Sequence, residues 1–387
     1  MGSKILYIKK ANIFTPSEIL QGTIVIKDGI IHDITTKDID IQSNENVIDA
    51  QGLNVIPGFI DGHIHGAAGA DTMDATEDAI DTMAKELPKE GTTSFLPTTI
   101  TQSEENINQA LQNIASYEGK SGHAEVLGIH LEGPFIEESK KGAQPGEYIL
   151  KPDLEQFNKW QELSANQIKT ITMAPEHDED GSFIKALYES GVNVSAGHTD
   201  AYFADMKKAV DQGVRQLTHL CNAMNGIHHR DVGAVGSSFL LEDLRAELIA
   251  DGIHVEREML QLIYNNVGSD RIILITDAMR AKGLEPGEYD LGGQTVMVTE
   301  DRAQLPSGSL AGSILKMDEG ARIMLSLEGV SIRDVIQMAS VNPAKQIGVL
   351  NRKGSIEKGK DADLLIVDNN LHLKKTICRG AISFEEE

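Results

Sequence analysis

Eight short apolar segments, each followed by a stretch of different rhythm, constrain this chain more than any other feature. They read NVIPGFIDGHIH, TSFLPTTI, AEVLGIHLEG, KTITMAPE, VNVSAGHT, QLTHLCNA, AELIADGIH and RIILITDAM. Each is a β-prone run bounded by glycine or polar residues, as strands are. Helical patterns fill most of the gaps: TEDAIDTMAKELPKEG, SEENINQALQNIASYEG, DLEQFNKWQELSA, SFIKALYESG, AYFADMKKAVDQG and EREMLQLIYNNVG. Several of these end in glycine, a common helix C-terminus. Eight βα steps over about 250 residues predict an α/β fold, a (β/α)8 TIM-like barrel. A doubly wound sheet is the structural rival.

The two chain ends have a different texture. KILYIKKANIF and GTIVIKDGIIHDI alternate apolar and polar residues, with Lys27-Asp28-Gly29 as a tight hairpin turn. NVIDAQGLNVIPG, KGSIEKGKDADLLIVD and LHLKKTICRGAISF continue in the same style. Residues 1–56 and 344–387 are therefore expected to form one small β-sandwich domain, and residues 57–343 the barrel. A length of 387 residues suits one large and one small domain. No apolar run approaches the roughly 18 residues a membrane span needs.

The formal net charge of −24 opposes a nucleic-acid partner. It also sets a condition: a site for an anionic substrate needs its own local cations. The start, MGSKILYIKK, has no long apolar stretch typical of a secretory signal. Leu6 stands where a myristoylation motif needs Ser or Thr. Two cysteines, Cys221 and Cys378, argue against a disulfide framework and fit a cytoplasmic protein.

The ends of the predicted strands carry the chemistry. The first ends at His63 and His65, the third at Glu132, the fifth at His198, the sixth at His219 and the eighth at Asp277. Taken singly, each has an ordinary explanation. A lone strand histidine is more often a hydrogen-bonded core residue, and a carboxylate there can cap the next helix. Together they need more, because five separate strands end in a histidine or carboxylate beside small residues. In a barrel these ends converge on one face. Imidazole and carboxylate are standard ligands for Zn²⁺ and similar ions. Residues i and i+2 of a strand share a side, so His63 and His65 can share one ion. Glu132 can ligate or bridge, and His198 and His219 complete a second position. Asp277 is then free to act as a base on metal-activated water, chemistry that hydrolyses amides or ring C–N bonds.

The chain has no H-E-x-x-H, no GxGxxG after a strand, no P-loop, no C-x-x-C and no G-x-S-x-G. It does contain PGFIDGHIHG, HLEGPF, SAGHTDA, THLCNAM, ADGIHV, LITDAMRAKG and LAGSILKM in that order between residues 57 and 318. By these motifs it resembles the amidohydrolase superfamily and, within it, the family of N-acetylglucosamine-6-phosphate deacetylases. The resemblance implies hydrolysis of N-acetylglucosamine 6-phosphate to glucosamine 6-phosphate and acetate, in amino-sugar catabolism. It implies a divalent metal, one or two ions per chain and two favoured, of Zn, Fe, Mn or Co. By this resemblance Glu132, His198 and His219 match the principal metal ligands, His63 and His65 the H-x-H pair, and Asp277 the catalytic base. Asn222 and Ala223 match phosphate-holding positions, and His254 a sugar-contacting histidine. Ala143 and the Leu310-Ala311-Gly312 turn match further substrate contacts. Arg230 matches an arginine that reaches the neighbouring subunit's substrate, so a homodimer is expected.

The residues themselves agree in part. The gap from 219 to 247 is longer than a βα loop needs and carries His228, His229 and Arg230, whose fork suits phosphate. Lys140 and Lys141 read as a solvated spot, Cys221 as packing, Met324 and Met338 as helical core, and His130 as a residue behind the ligands. One departure stands out. Many members carry a histidine that polarises the amide carbonyl where this chain has Gln144, followed by Pro145. A second ion could supply that polarisation, so the H-x-H pair and Gln144 are expected to go together. A D-aminoacylase or cyclic amidase would share the metal face but have no reason to keep Arg230 and LCNAM. A non-catalytic scaffold would have lost ligands or the base.

Overall fold

The computed structural model describes residues 5–41 and 46–386. Eight parallel strands form its centre: β1 (Phe59–Ile64), β2 (Thr92–Thr99), β3 (Ile129–Glu132), β4 (Ile168–Met173), β5 (Asn193–Ala196), β6 (Val214–Leu217), β7 (Arg245–Ile249) and β8 (Ile272–Ile275). They pair in sequence order, β1 with β2 and onward to β8, every pair parallel. The ring closes at its C-terminal end. Ile64 bridges Ala278, Asp277 N–H donates to His63 O at 2.8 Å, and His65 N–H donates to Ala278 O at 2.9 Å. Closure thus runs through residues of the site. Below it, the buried Asp61 carboxylate accepts from Thr276 Oγ1 at 2.5 Å. This is the barrel expected from the eight βα steps, and not a doubly wound sheet.

Strands buried on both faces read as continuous apolar or small residues rather than alternating ones. In β2, β3, β5 and β8 every residue is buried. The six expected helices lie outside them, with caps visible in the sequence. Thr76, Ser103 and Asp153 each accept a backbone N–H from the first turn that follows. Met324 and Met338 are fully buried, as their spacing predicts.

Three features differ from the sequence reading. The run Asn54 to His65 is not one strand. Gly58 breaks it, and a Cβ there would lie 2.2 Å from Thr93 Oγ1. Asn54–Pro57 leaves the barrel and pairs antiparallel with Leu364–Val367. A three-stranded sheet of Gly287–Leu291, Gln294–Val298 and Ala303–Gln304 follows β8. Its strands are too short and too polar to stand out in the sequence. A helix over Ile332–Gln346 contains a π turn at Gln337–Val341. The extra residue brings Ser340 Oγ to Gly58 O at 3.0 Å and Asn342 Nδ2 to Ile272 O at 2.6 Å, pinning the starts of β1 and β8.

Strands from both chain ends share one sheet around a core of their own, which includes Ile8, Ile13, Ile24, Val55, Leu364 and Ile377. The hairpin turn at Asp28 and Gly29 has φ of 51° and 84°, as a two-residue turn of this hand requires. An ion cluster ties the C-terminal segment to the barrel. Lys353 Nζ, nearly inaccessible to solvent, lies 2.7 Å from Glu125 and 3.0 Å from Asp361 and bonds Asp363, while Arg352 lies 2.6 Å from Glu125. Among the described residues no helix is long and apolar enough to cross a membrane.

Candidate active site

The C-terminal mouth of the barrel opens into a cavity of about 480 Å³. Three site residues sit two positions past their strands in left-handed backbone: His198 (φ 47°) after β5, His219 (φ 32°) after β6 and Asp277 (φ 48°) after β8. Histidine and aspartate enter this region more readily than most residues, yet still at a cost. The turn aims each side chain across the mouth. Glycines permit the close approach. A Cβ on Gly133 would lie 2.1 Å from Thr101 Oγ1, and one on Gly197 2.6 Å from Thr218 Cβ.

Four imidazoles converge on two carboxylates. Glu132 Oε1 lies 3.3 Å from Nε2 of both His198 and His219 and 3.4 Å from Nε2 of His63. Asp277 Oδ1 lies 3.2 Å from His65 Nε2 and 3.5 Å from His63 Nε2. Two ligand sets result, Glu132 with His198 and His219, and His63 with His65 and Asp277.

The far ring nitrogens fix the tautomers. His63 Nδ1 lies 3.0 Å from Glu247 Oε2, His65 Nδ1 3.2 Å from Thr98 O, and His198 Nδ1 2.8 Å from Lys140 O. Those oxygens only accept, so each Nδ1 carries its proton and each Nε2 can turn a lone pair inward. That is the state a metal ligand needs. His63 Nε2 is buried with no hydrogen-bond partner, and the Nε2 atoms of His198 and His219 stand 3.1 Å apart. The donor set therefore fits a divalent cation.

The electrostatics carry the same demand. Burial opposes charge on His63, but Asp277, Glu132 and Glu247 raise its imidazole to about 9. His65 is raised well above its ordinary value against burial by its bonds to Asp277 and Glu132. Burial pushes Glu132 and Asp277 up, yet the surrounding imidazoles hold both below the usual carboxylate range. Positive charge is required between these groups, and protons or a cation can supply it. His130 is different. Burial, and then the nearby His63, keep it well below its ordinary value, and its nitrogens bond Gly62 O and Thr172 Oγ1 rather than the cavity.

Of the expected substrate residues, Ala143, Gln144, Asn222, Ala223, His254, Leu310 and Gly312 line the cavity. Ala311 does not. It is fully buried in the core of the three-stranded insertion. Arg230 is exposed at the tip of its loop and does not line the cavity of its own chain. Gln144 has one amide hydrogen on Glu132 Oε2 at 2.6 Å. His254 is oriented by Asp251, its Nδ1 2.6 Å from Oδ2. Burial pushes the Cys221 thiol up to about 12, which fits packing and not a thiolate ligand.

Two residues emerge only from the structure. Glu247 reads in sequence as the polar position of an apolar strand, but lies under the site and also accepts from Gln216 Nε2 at 2.6 Å. Lys140 is not solvated surface. It lines the cavity, and its Nζ donates to Asn225 Oδ1 at 2.8 Å, in the loop that carries Asn222 and Ala223.

Known proteins resemble the chain along nearly its whole length. The profile of the Amidohydrolase family matches residues 54–383. The N-acetylglucosamine-6-phosphate deacetylase of Bacillus subtilis (strain 168) is 46% identical over 384 residues, 98% of this chain and 97% of that one. That of Lysinibacillus sphaericus is 47% identical over 359 residues, 90% and 92% of the two chains. The crystal structure of N-acetylglucosamine-6-phosphate deacetylase from Pasteurella multocida matches with a TM-score of 0.91 at 30% identity, covering 99% of this chain and 100% of that one.

Proposed function

This chain belongs to the amidohydrolase family, and we propose that it hydrolyses the acetamide of N-acetyl-D-glucosamine 6-phosphate to D-glucosamine 6-phosphate and acetate. The observation that carries the chemistry is the convergence of four histidine Nε2 atoms on Glu132 and Asp277 at the barrel mouth. The two ligand sets support two ions per chain, with His63 and His65 in one and His198 and His219 in the other, Glu132 standing between them. Nitrogen and oxygen donors suit Zn, Fe, Mn or Co.

A bound divalent ion polarises a carbonyl and lowers the pKa of its water toward roughly 7. The rest is done by the protein. Asp277, whose Oδ1 lies 3.2 Å from His65 Nε2 at the barrel mouth, takes a proton from the attacking water as the new C–O bond forms. It then delivers that proton to the amine nitrogen as the C–N bond breaks. Asn222 and Ala223 hold the phosphate, with Lys140 beside them as the local cation that an acidic chain requires. His254, oriented by Asp251, presents its other nitrogen to the sugar. Ala143, Leu310 and Gly312 shape the wall around the ring, and Ala311 supports that wall from behind. Arg230 is exposed at the tip of its loop and outside the cavity of its own chain, which supports its reaching the phosphate of a second copy in a homodimer. Cys221 and Cys378 are both free, which supports work in the cytoplasm.

Acetate release by metal-loaded protein tests this reading. N-acetylglucosamine 6-phosphate is expected to turn over at least 100-fold more efficiently than the unphosphorylated sugar, because the phosphate contacts supply binding energy. Turnover of N-acyl-D-amino acids or cyclic amides without turnover of the sugar phosphate would replace it with the aminoacylase or cyclic-amidase reading.

A further inference from the structure

The two oxygens of Glu132 have different surroundings. Oε1 faces His63, His198 and His219. Oε2 lies 3.3 Å from His65 Nε2 and 2.6 Å from Gln144 Nε2. Gln144 is itself held at its other end, because its Oε1 accepts the Thr101 N–H at 2.7 Å. The orientation of this amide is forced. A backbone N–H only donates, so the amide oxygen must face Thr101 and the NH2 must face Glu132. Both anchoring groups, Thr101 and Glu132, are buried, and Gln144 itself is 5% exposed.

The loop that carries Gln144 is fastened as well. Its own N–H donates to Lys141 O at 2.9 Å, and the preceding carbonyl, Ala143 O, accepts from Gln294 Nε2 at 2.5 Å. Gln294 belongs to the three-stranded insertion after β8. One side chain therefore links the end of β2, the carboxylate that closes β3 and, through its loop, the insertion.

We infer that Gln144 is a positioning residue for Glu132. Without it, the last torsion of a glutamate is broad, and the carboxylate plane can turn away from the imidazoles. A charge-assisted bond to one oxygen fixes that plane and keeps the other facing the three imidazoles. The position needs a side chain that accepts at one end and donates at the other. Methionine does neither and an ionised glutamate cannot donate, whereas an imidazole does both. The inference rests on the metal-dependent reading and assigns the Gln144 amide to the ligand carboxylate rather than to the substrate carbonyl.

The test uses full-length apoprotein and Co²⁺ as probe, with chelator competition for affinity and the visible d–d absorption of bound cobalt for geometry. Gln144→Met is expected to weaken Co²⁺ binding about 10- to 100-fold, the usual effect of losing a partner of a ligand, and to change the cobalt spectrum. Gln144→His is expected to restore both to near wild type. If Gln144→Met does not fold by circular dichroism, Gln144→Ala carries the same comparison. Wild-type affinity and an unchanged spectrum in the folded variant overturn the inference, and a loss of turnover in that case assigns Gln144 to the substrate. Failure of the wild-type protein itself to bind cobalt would refute the metal-dependent reading and the positioning role with it.

Discussion

Nδ1 of His63 lies 3.0 Å from Oε2 of Glu247, on a strand 184 residues further along the chain. This contact decides which nitrogen of His63 keeps its proton, and so whether Nε2 offers a lone pair to the cavity. Glu247→Gln is expected to weaken metal binding about 10- to 100-fold. Chelator competition on the purified variant measures it, and an affinity within twofold of wild type would deny Glu247 this role.

Asp277→Asn removes the carboxylate proposed to carry the proton while keeping the shape of the side chain. The expected loss in kcat is about 10²- to 10⁴-fold, the range of general acid–base catalysis. Metal at the Glu132, His198 and His219 set should stay close to wild type, while the His63 and His65 set, which loses the Asp277 carboxylate, should bind more weakly. Acetate release within tenfold of wild type would mean that another group moves the proton.

Arg230 gives a test of cross-subunit assembly. Arg230→Ala is expected to raise KM for the phosphorylated sugar at least tenfold, since a charge-assisted contact is lost. Asp277→Asn chains retain Arg230. Mixing the two variants under conditions that allow subunit exchange, at substrate well below the raised KM, should lift activity above the sum of the two alone, because a mixed dimer has one site with both Asp277 and a donated arginine. No such rise, with mixed dimers shown by native mass spectrometry, would place Arg230 in service of its own chain or of none.

The ion cluster around Lys353 sets a pH window. Burial pushes Glu125 up, but its bond to Arg352 and the charge of Lys353 outweigh burial and lower it from 4.5 to about 2. A group depressed in the folded state stabilises above its unfolded value and loses that contribution as pH falls through its folded value. Glu125→Gln should therefore destabilise by roughly 3 kcal/mol at pH 7, with the difference from wild type shrinking steadily as pH falls from about 4.5 toward 2. Urea unfolding of both proteins across this range measures it. A difference that does not change with pH would mean that packing, and not charge, is what Glu125 supplies.

What was legible in the sequence had a physical reason to be. His63, His65, Glu132, His198, His219 and Asp277 each interrupt an apolar run at its end, where a barrel strand has one place to point. The barrel itself was legible because two rhythms alternate eight times. Glu247 was hidden for the opposite reason. It sits inside its strand, where a polar residue is indistinguishable from one side of an ordinary alternation, and its partner is 184 positions away. Lys140 was hidden because only the folded loop reveals which way a lysine leans. The position of Gln144 was visible but its partner was not, since the 2.6 Å contact to Glu132 depends on a loop returning to its own strand. The split at Gly58 was missed because NVIPGFIDGHIH is uniformly strand-like, and only the competing partner, Leu364–Val367, divides it.

The left-handed turns at His198, His219 and Asp277 bear on how this protein can be engineered. Each turn costs about 1–2 kcal/mol for a residue with a Cβ, and glycine would bear almost none of it. Selection for heat resistance alone would thus reward the loss of the very groups that face the cavity, and inactive, hardier descendants would accumulate first. A campaign to harden this barrel should screen for acetate release in every round, or confine its library to the outer helices and the sheet built from the chain ends.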